Sequence, residues 1–207
     1  MAEPSPALSS LEWGVAASMP PGESESGDLH LVKSIGSRVL VAVVDGLGRG
    51  PEAAAAARAA IDTLERNGES TVPGLLAACH RALAGTRGAV LSLALVDPAA
   101  GALTWAGVGN VAGVLLQRGP TGHARGLAVR GGIVGAELPR VEPETLALSG
   151  DDTLIFATDG IKGGFADELP PNDDPKRQAA AILARYGRPN DDALVVVARF
   201  VRPRGAP

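Results

Sequence analysis

A chain of 207 residues with 45% hydrophobic but only 3% aromatic residues is long enough for one domain, with a sizeable core built from Val, Leu, Ile and Ala. Its net charge of -4, without a Lys/Arg stripe, argues against nucleic acid or an anionic membrane as partner. The single cysteine, Cys79, rules out a disulfide within the chain, and the lack of a leader or a bilayer-length apolar run predicts a soluble, cytoplasmic protein.

In chain order, residues 1–9 are Pro/Ser-rich and read as a disordered N-terminus. Residues 10–202 read as one domain, and 203–207 as a loose tail. Leu11 to Ser18 reads as an edge strand. Asp28 to Ser34 and Arg38 to Val44 read as strands joined by a tight turn at Ile35-Gly36-Ser37, and antiparallel register then sets Asp28 opposite Val44 and Asp45. Behind Pro51 a helix runs to Arg66, with Ala57, Ala60, Ile61 and Leu64 on its buried stripe. A second runs from Thr71 to Ala84, capped by Thr71, with Leu75, Leu76, Cys79 and Leu83 inward and His80 at the surface.

Arg87 to Val96 and Ala102 to Val108 read as a hairpin, which Val111 to Gln117 continues as a meander. Arg118 to Leu138 reads as loop with a short strand at Leu127 to Arg130. Thr145 to Leu148 and Thr153 to Thr158 read as another hairpin, closed by Ser149-Gly150-Asp151-Asp152. Asp174-Pro175 opens a third helix with Ala179, Ile182, Leu183 and Tyr186 inward, ended by Gly187. The last strand is Ala193 to Phe200.

The apolar run from Val39 to Val44 stops on Asp45 and passes through Gly46, Gly48 and Gly50 before helix resumes. Leu154 to Ala157 likewise ends on Thr158-Asp159-Gly160. Asp28 and Asp191 precede strands, so antiparallel pairing can gather all four carboxylates at one edge. Like charges crowded there call for cations, and an all-oxygen donor set favours Mg2+ or Mn2+ over Zn2+. A pair of such ions aims an activated water at phosphorus, which is the chemistry of a phosphoester hydrolase. The plainer reading of aspartate beside glycine, helix capping and turn formation, suits Asp151, Asp152, Asp173 and Asp174.

Five pieces in order resemble the PPM-type metal-dependent serine/threonine protein phosphatases: Ser26-Gly27-Asp28, Val44-Asp45-Gly46-Leu47-Gly48, Gly107-Val108-Gly109-Asn110, Ala157-Thr158-Asp159-Gly160 and Asp191-Asp192-Ala193-Leu194. Within that family the chain is similar to the small bacterial branch of partner-switching pathways, in particular the stand-alone stressosome phosphatases. The resemblance implies an α+β fold, an α-β-β-α sandwich of two antiparallel sheets flanked by helices. It implies two ions, Mn2+ or Mg2+. Asp45 would bridge them, Asp159 and Asp191 would complete one, and Asp28 with the Gly46 carbonyl would hold the other, mostly through waters. Asp45 and Asp159 would act through a metal-bound water, without a phosphoenzyme. The implied substrate is a phosphorylated stress-signalling, stressosome-like protein, and the implied enzyme a monomer.

Departures from the family are Arg49 where a further glycine is commoner, Asp192 where asparagine is commoner, and the lack of an upstream phosphate-binding arginine, so that phosphate binding rests on the metals alone or on Arg49, whose plainer reading is a solvated loop charge. Gly48-X-Gly50-X-X-Ala53 imitates a dinucleotide fingerprint, but a second helix follows where a parallel strand is needed. A histidine-kinase-like ATP site lacks its asparagine-bearing helix, and a cysteine phosphatase lacks its arginine after Cys79. A degenerate phosphatase fold that only binds phosphorylated partners is the non-enzymatic alternative.

Overall fold

The computed structural model describes residues 7–67, 70–118, 123–167 and 173–201. Alternation along β3 (Arg38–Gly46) sets its layers: Leu40, Ala42 and Val44 pack toward helices α1 (Pro51–Arg66) and α2 (Val72–Ala82), whereas Val39, Val41 and Val43 face a second sheet. Both faces of β3 are thus covered, and both of its edges are paired. Neighbouring β3 are β2 (Asp28–Ile35) and β4 (Ala89–Asp97), with β5 (Ala102–Val108) and β8 (Glu144–Ala147) beyond, in the order β2-β3-β4-β5-β8. The second sheet has the order β1-β10-β9-β6-β7, formed by Leu11–Ser18, Ala193–Phe200, Thr153–Ala157, Ala112–Gln117 and His123–Leu127. In β10, Leu194, Val196 and Ala198 face the first sheet while Val195 and Val197 pack with α3 (Pro175–Tyr186). All the strand pairings are antiparallel, which makes the expected α-β-β-α sandwich.

Local chemistry sets the helix ends. Gly50, at φ +70, turns the chain into α1 with Pro51 in its first turn. The backbone of Ala53 lies so close over Gly46 that any side chain there would strike it. Thr71 accepts from Gly74 N–H at 3.3 Å to cap α2, and Asp174 accepts from Lys176 N–H at 2.7 Å to cap α3. Gly187 closes α3, its N–H donating to Leu183 O at 2.9 Å.

Four expectations are corrected. Val111 to Gln117 does not continue the meander: Gly109, at φ +98, turns the chain, Val111 is fully buried, and its carbonyl accepts from Ser92 Oγ at 2.8 Å as the chain crosses to the other sheet. Thr145 to Leu148 and Thr153 to Thr158 are not a hairpin, because β8 pairs with β5 and β9 lies between β10 and β6. Burial explains the separation, since every residue of β9 is buried whereas β8 is a partly exposed edge. Asp152 holds the crossing, accepting from Ser149 N–H and Arg118 N–H at 2.8 Å each. The strand expected at Leu127 to Arg130 is β7, displaced to His123–Leu127 on the exposed edge of β6. His80 is half-buried rather than a plain surface residue, its Nδ1 accepting from Gly135 N–H at 3.0 Å.

Residues 1–6 of the expected disordered N-terminus and 203–207 of the expected tail lie outside the described residues. Ala7 is buried, Leu8–Ser10 forms a 3-10 turn, and Ser10 O accepts from Val201 N–H at 2.8 Å beside β10.

Candidate metal centre

Asp28 and Asp45 are direct cross-strand partners at the open end of the β2–β3 hairpin. The loop before β2 is tied to this end twice: Gly46 N–H donates to Gly27 O, and Gly27 N–H donates to Oδ2 of Asp192, both at 2.9 Å. From the other sheet, β9 ends beside β10, where Thr158 N–H donates to Leu194 O at 3.0 Å. The Thr158 hydroxyl then donates to Asp28 Oδ2 at 2.7 Å and accepts from Leu194 N–H at 2.9 Å. Asp159 follows, with Oδ2 accepting from Asn110 Nδ2 at 2.8 Å. On the rim, Arg49 Nη2 donates to Asn190 O at 2.9 Å and to Asp191 Oδ1 at 3.3 Å.

The structure therefore brings Asp28, Asp45, Gly46, Asp159, Asp191 and Arg49 to one end of the sandwich. Burial pushes the Asp28 carboxyl up to about 8 against the opposing Thr158 hydrogen bond, with further repulsion from Asp45, Asp192 and Asp159. Asp45 is pushed up to about 7 by burial and then by Asp159, Asp191 and Asp192. Oδ1 of Asp192 is buried without a hydrogen-bond partner among the described residues.

Such a carboxylate cluster suits a hard divalent cation, which would offset the repulsion and partner the orphaned oxygen. Among the described residues no three His, Cys, Asp or Glu side chains converge tightly enough to chelate one ion unaided. Waters and main-chain oxygens such as the Gly46 carbonyl would complete the shell, as magnesium, reluctant to shed its waters, prefers.

Three members do not read as site residues from sequence. Asp192, Thr158 and Asn110 reach across 165, 130 and 49 residues to Gly27, Asp28 and Asp159. Each lies inside a motif piece, which was the available signal.

Residues 35–201 match the family described as Stage II sporulation protein E (SpoIIE). The phosphoserine phosphatase RsbX of Bacillus subtilis (strain 168) is 26% identical over 140 residues, 68% of this chain and 69% of its own. A solved structure from work on the bacterial stressosome, "a modular system that has been adapted to control secondary messenger signaling", superposes with a TM-score of 0.84 at 34% identity, over 91% of this chain and 99% of the other. RsbX crystallised in complex with magnesium shares the fold, with a TM-score of 0.82 at 22% identity over 92% and 95% of the two chains.

Proposed function

Since the chain belongs to the SpoIIE family of PPM-type protein serine/threonine phosphatases, we propose that it hydrolyses phosphoserine or phosphothreonine on a bacterial stress-signalling protein of the stressosome or partner-switching kind. The observation that carries this is the cross-strand pairing of Asp28 with Asp45 at the end of the sandwich, two carboxylates raised first by burial and then by the aspartates around them. Asp45 with Asp159 and Asp191 would hold one divalent ion, and Asp28 with the Gly46 carbonyl the other. When bound, two Mn2+ or Mg2+ ions would lower the pKa of a water and neutralise phosphoryl oxygens.

The chain's own groups orient this set. Thr158 steers Asp28, Asn110 steers Asp159, and Asp192 anchors the loop that delivers Asp28. Arg49, which pairs with Asp191 at the rim, would be a phosphate contact only on leaving that carboxylate. No helix among the described residues is long and apolar enough to cross a membrane, and the proposed setting is a cytoplasmic monomer.

The test is phosphate release from phosphoserine, phosphothreonine and phosphotyrosine peptides, in Mn2+ or Mg2+ and again in chelator. Metal-dependent release from the first two supports the reading. A folded protein that releases none under either metal overturns it in favour of a fold that only binds phosphorylated partners.

A further inference from the structure

Gly48 lies in the loop between Asp45 and α1 at φ +100, and a Cβ built there would sit 2.5 Å from Nη1 of Arg87. The missing side chain makes room for a guanidinium laid across the loop that leaves Asp45. Several contacts hold Arg87 in that space. Leu47 N–H donates to Gly88 O at 3.0 Å, and Gly88 N–H donates to Thr86 Oγ1 at 3.0 Å with Gly88 at φ +80. Nε of Arg87 donates to the Glu52 carboxylate in the first turn of α1.

That bond occupies Nε, and the two terminal nitrogens make no hydrogen bond among the described residues. Both partners are open to water, the Arg87 side chain at 53% and Glu52 at 69%, so the ion pair adds little to stability. A cradle this specific is poorly explained as a stabilising device. Beside it opens a recess of about 490 Å³ lined by Glu52, Ala55, Ala56, Gly85, Thr86 and Arg87. On the other side of Gly48, Arg49 is committed to Asp191 and Asn190. Arg49 makes both of these bonds through Nη2, whereas Arg87 keeps both terminal nitrogens open.

We infer that Arg87 is a substrate-binding residue whose terminal nitrogens contact the phosphoryl group, with Gly48 and Glu52 holding the guanidinium in place. The inference rests on the reading of the neighbouring carboxylate site as one for phosphate monoesters. A phosphate dianion approaching five aspartates needs cations on its path, and a planar guanidinium offers paired, charge-assisted hydrogen bonds to its oxygens.

The experiment is calorimetric binding of inorganic phosphate and of O-phosphoserine to the full chain in Mg2+, for wild type, Arg87→Ala and Arg87→Lys. It is paired with KM and kcat on a phosphoserine peptide. Arg87→Ala should weaken both probes by about tenfold or more, the loss of a charged hydrogen bond, and raise KM more than it lowers kcat. Arg87→Lys should recover part of the binding. Should Arg87→Ala misfold, Arg87→Gln, which keeps the stem against Gly48, carries the same expectation. Wild-type affinity and KM in a folded variant overturn the inference while leaving the phosphatase reading standing, and so does a wild type that turns over peptide yet binds neither probe. Arg87-dependent probe binding without turnover would keep the contact and remove the activity.

Discussion

The hydroxyl of Thr158 donates to Oδ2 of Asp28 at 2.7 Å, tying the end of β9 in one sheet to the start of β2 in the other. The same oxygen accepts from Leu194 N–H at 2.9 Å, so one buried hydroxyl joins three strands. Thr158→Val keeps the shape and removes both bonds. It should destabilise the protein by about 1–3 kcal/mol, because a backbone N–H and a carboxylate are left buried without their partner. Urea unfolding of the two proteins checks this, and an unchanged midpoint would show that the sheets are joined by other means.

Asn110 acts on Asp159 in the same way, from the loop where the chain leaves the first sheet. Loss of an outer partner of a ligating carboxylate lowers metal affinity or activity by about 10–100-fold. Asn110→Ala should fall in that range with its stability nearly intact, since the side chain is exposed. Mn2+ titration of activity measures it, and a wild-type curve would remove Asn110 from the site.

The raised carboxyls of Asp28 and Asp45 give the metal-free protein a pH dependence of definite sign. Their folded values, about 8 and about 7, exceed the ordinary 3.8, so between those limits the native state holds protons that the unfolded chain has released. In chelator this contribution to stability is full below the ordinary carboxylate value, declines as pH rises, and is lost as pH passes through 7 and 8. Denaturant midpoints in EDTA at several pH values should show that decline, and Asp28→Asn should flatten it. Added Mn2+ should reverse the trend, because it replaces the protons and binds more tightly as they leave. Equal slopes for wild type and Asp28→Asn would contradict the electrostatic picture.

Much of this was legible where one short stretch holds the whole signal. The β2–β3 register, and with it the Asp28–Asp45 pair, follows from a tight turn at Gly36 between two alternating strands. Helix α1 begins at Pro51 and ends at Arg66 as its stripe and flanks indicate. Alternation says that a strand has a buried face, not which sheet it joins. Val111 to Gln117 and Thr145 to Leu148 therefore read as strands from sequence, but with neighbours other than those they have. His123 to Gly126 is exposed throughout, so β7 carries almost no pattern. The contacts of Asp192, Thr158 and Asn110 exist only once the two sheets face each other.

If the aspartates gathered at the end of the sandwich hold the cations that drive phosphate-ester hydrolysis, turnover requires both the metal and Asp45. The most direct measurement is turnover of p-nitrophenyl phosphate by wild type and Asp45→Asn side by side, titrated with Mn2+ and Mg2+ and quenched with EDTA. Wild-type turnover should rise with metal and stop with chelator, and a folded Asp45→Asn protein should be inactive at every metal concentration. Turnover indifferent to EDTA, or retained in Asp45→Asn, would contradict that requirement.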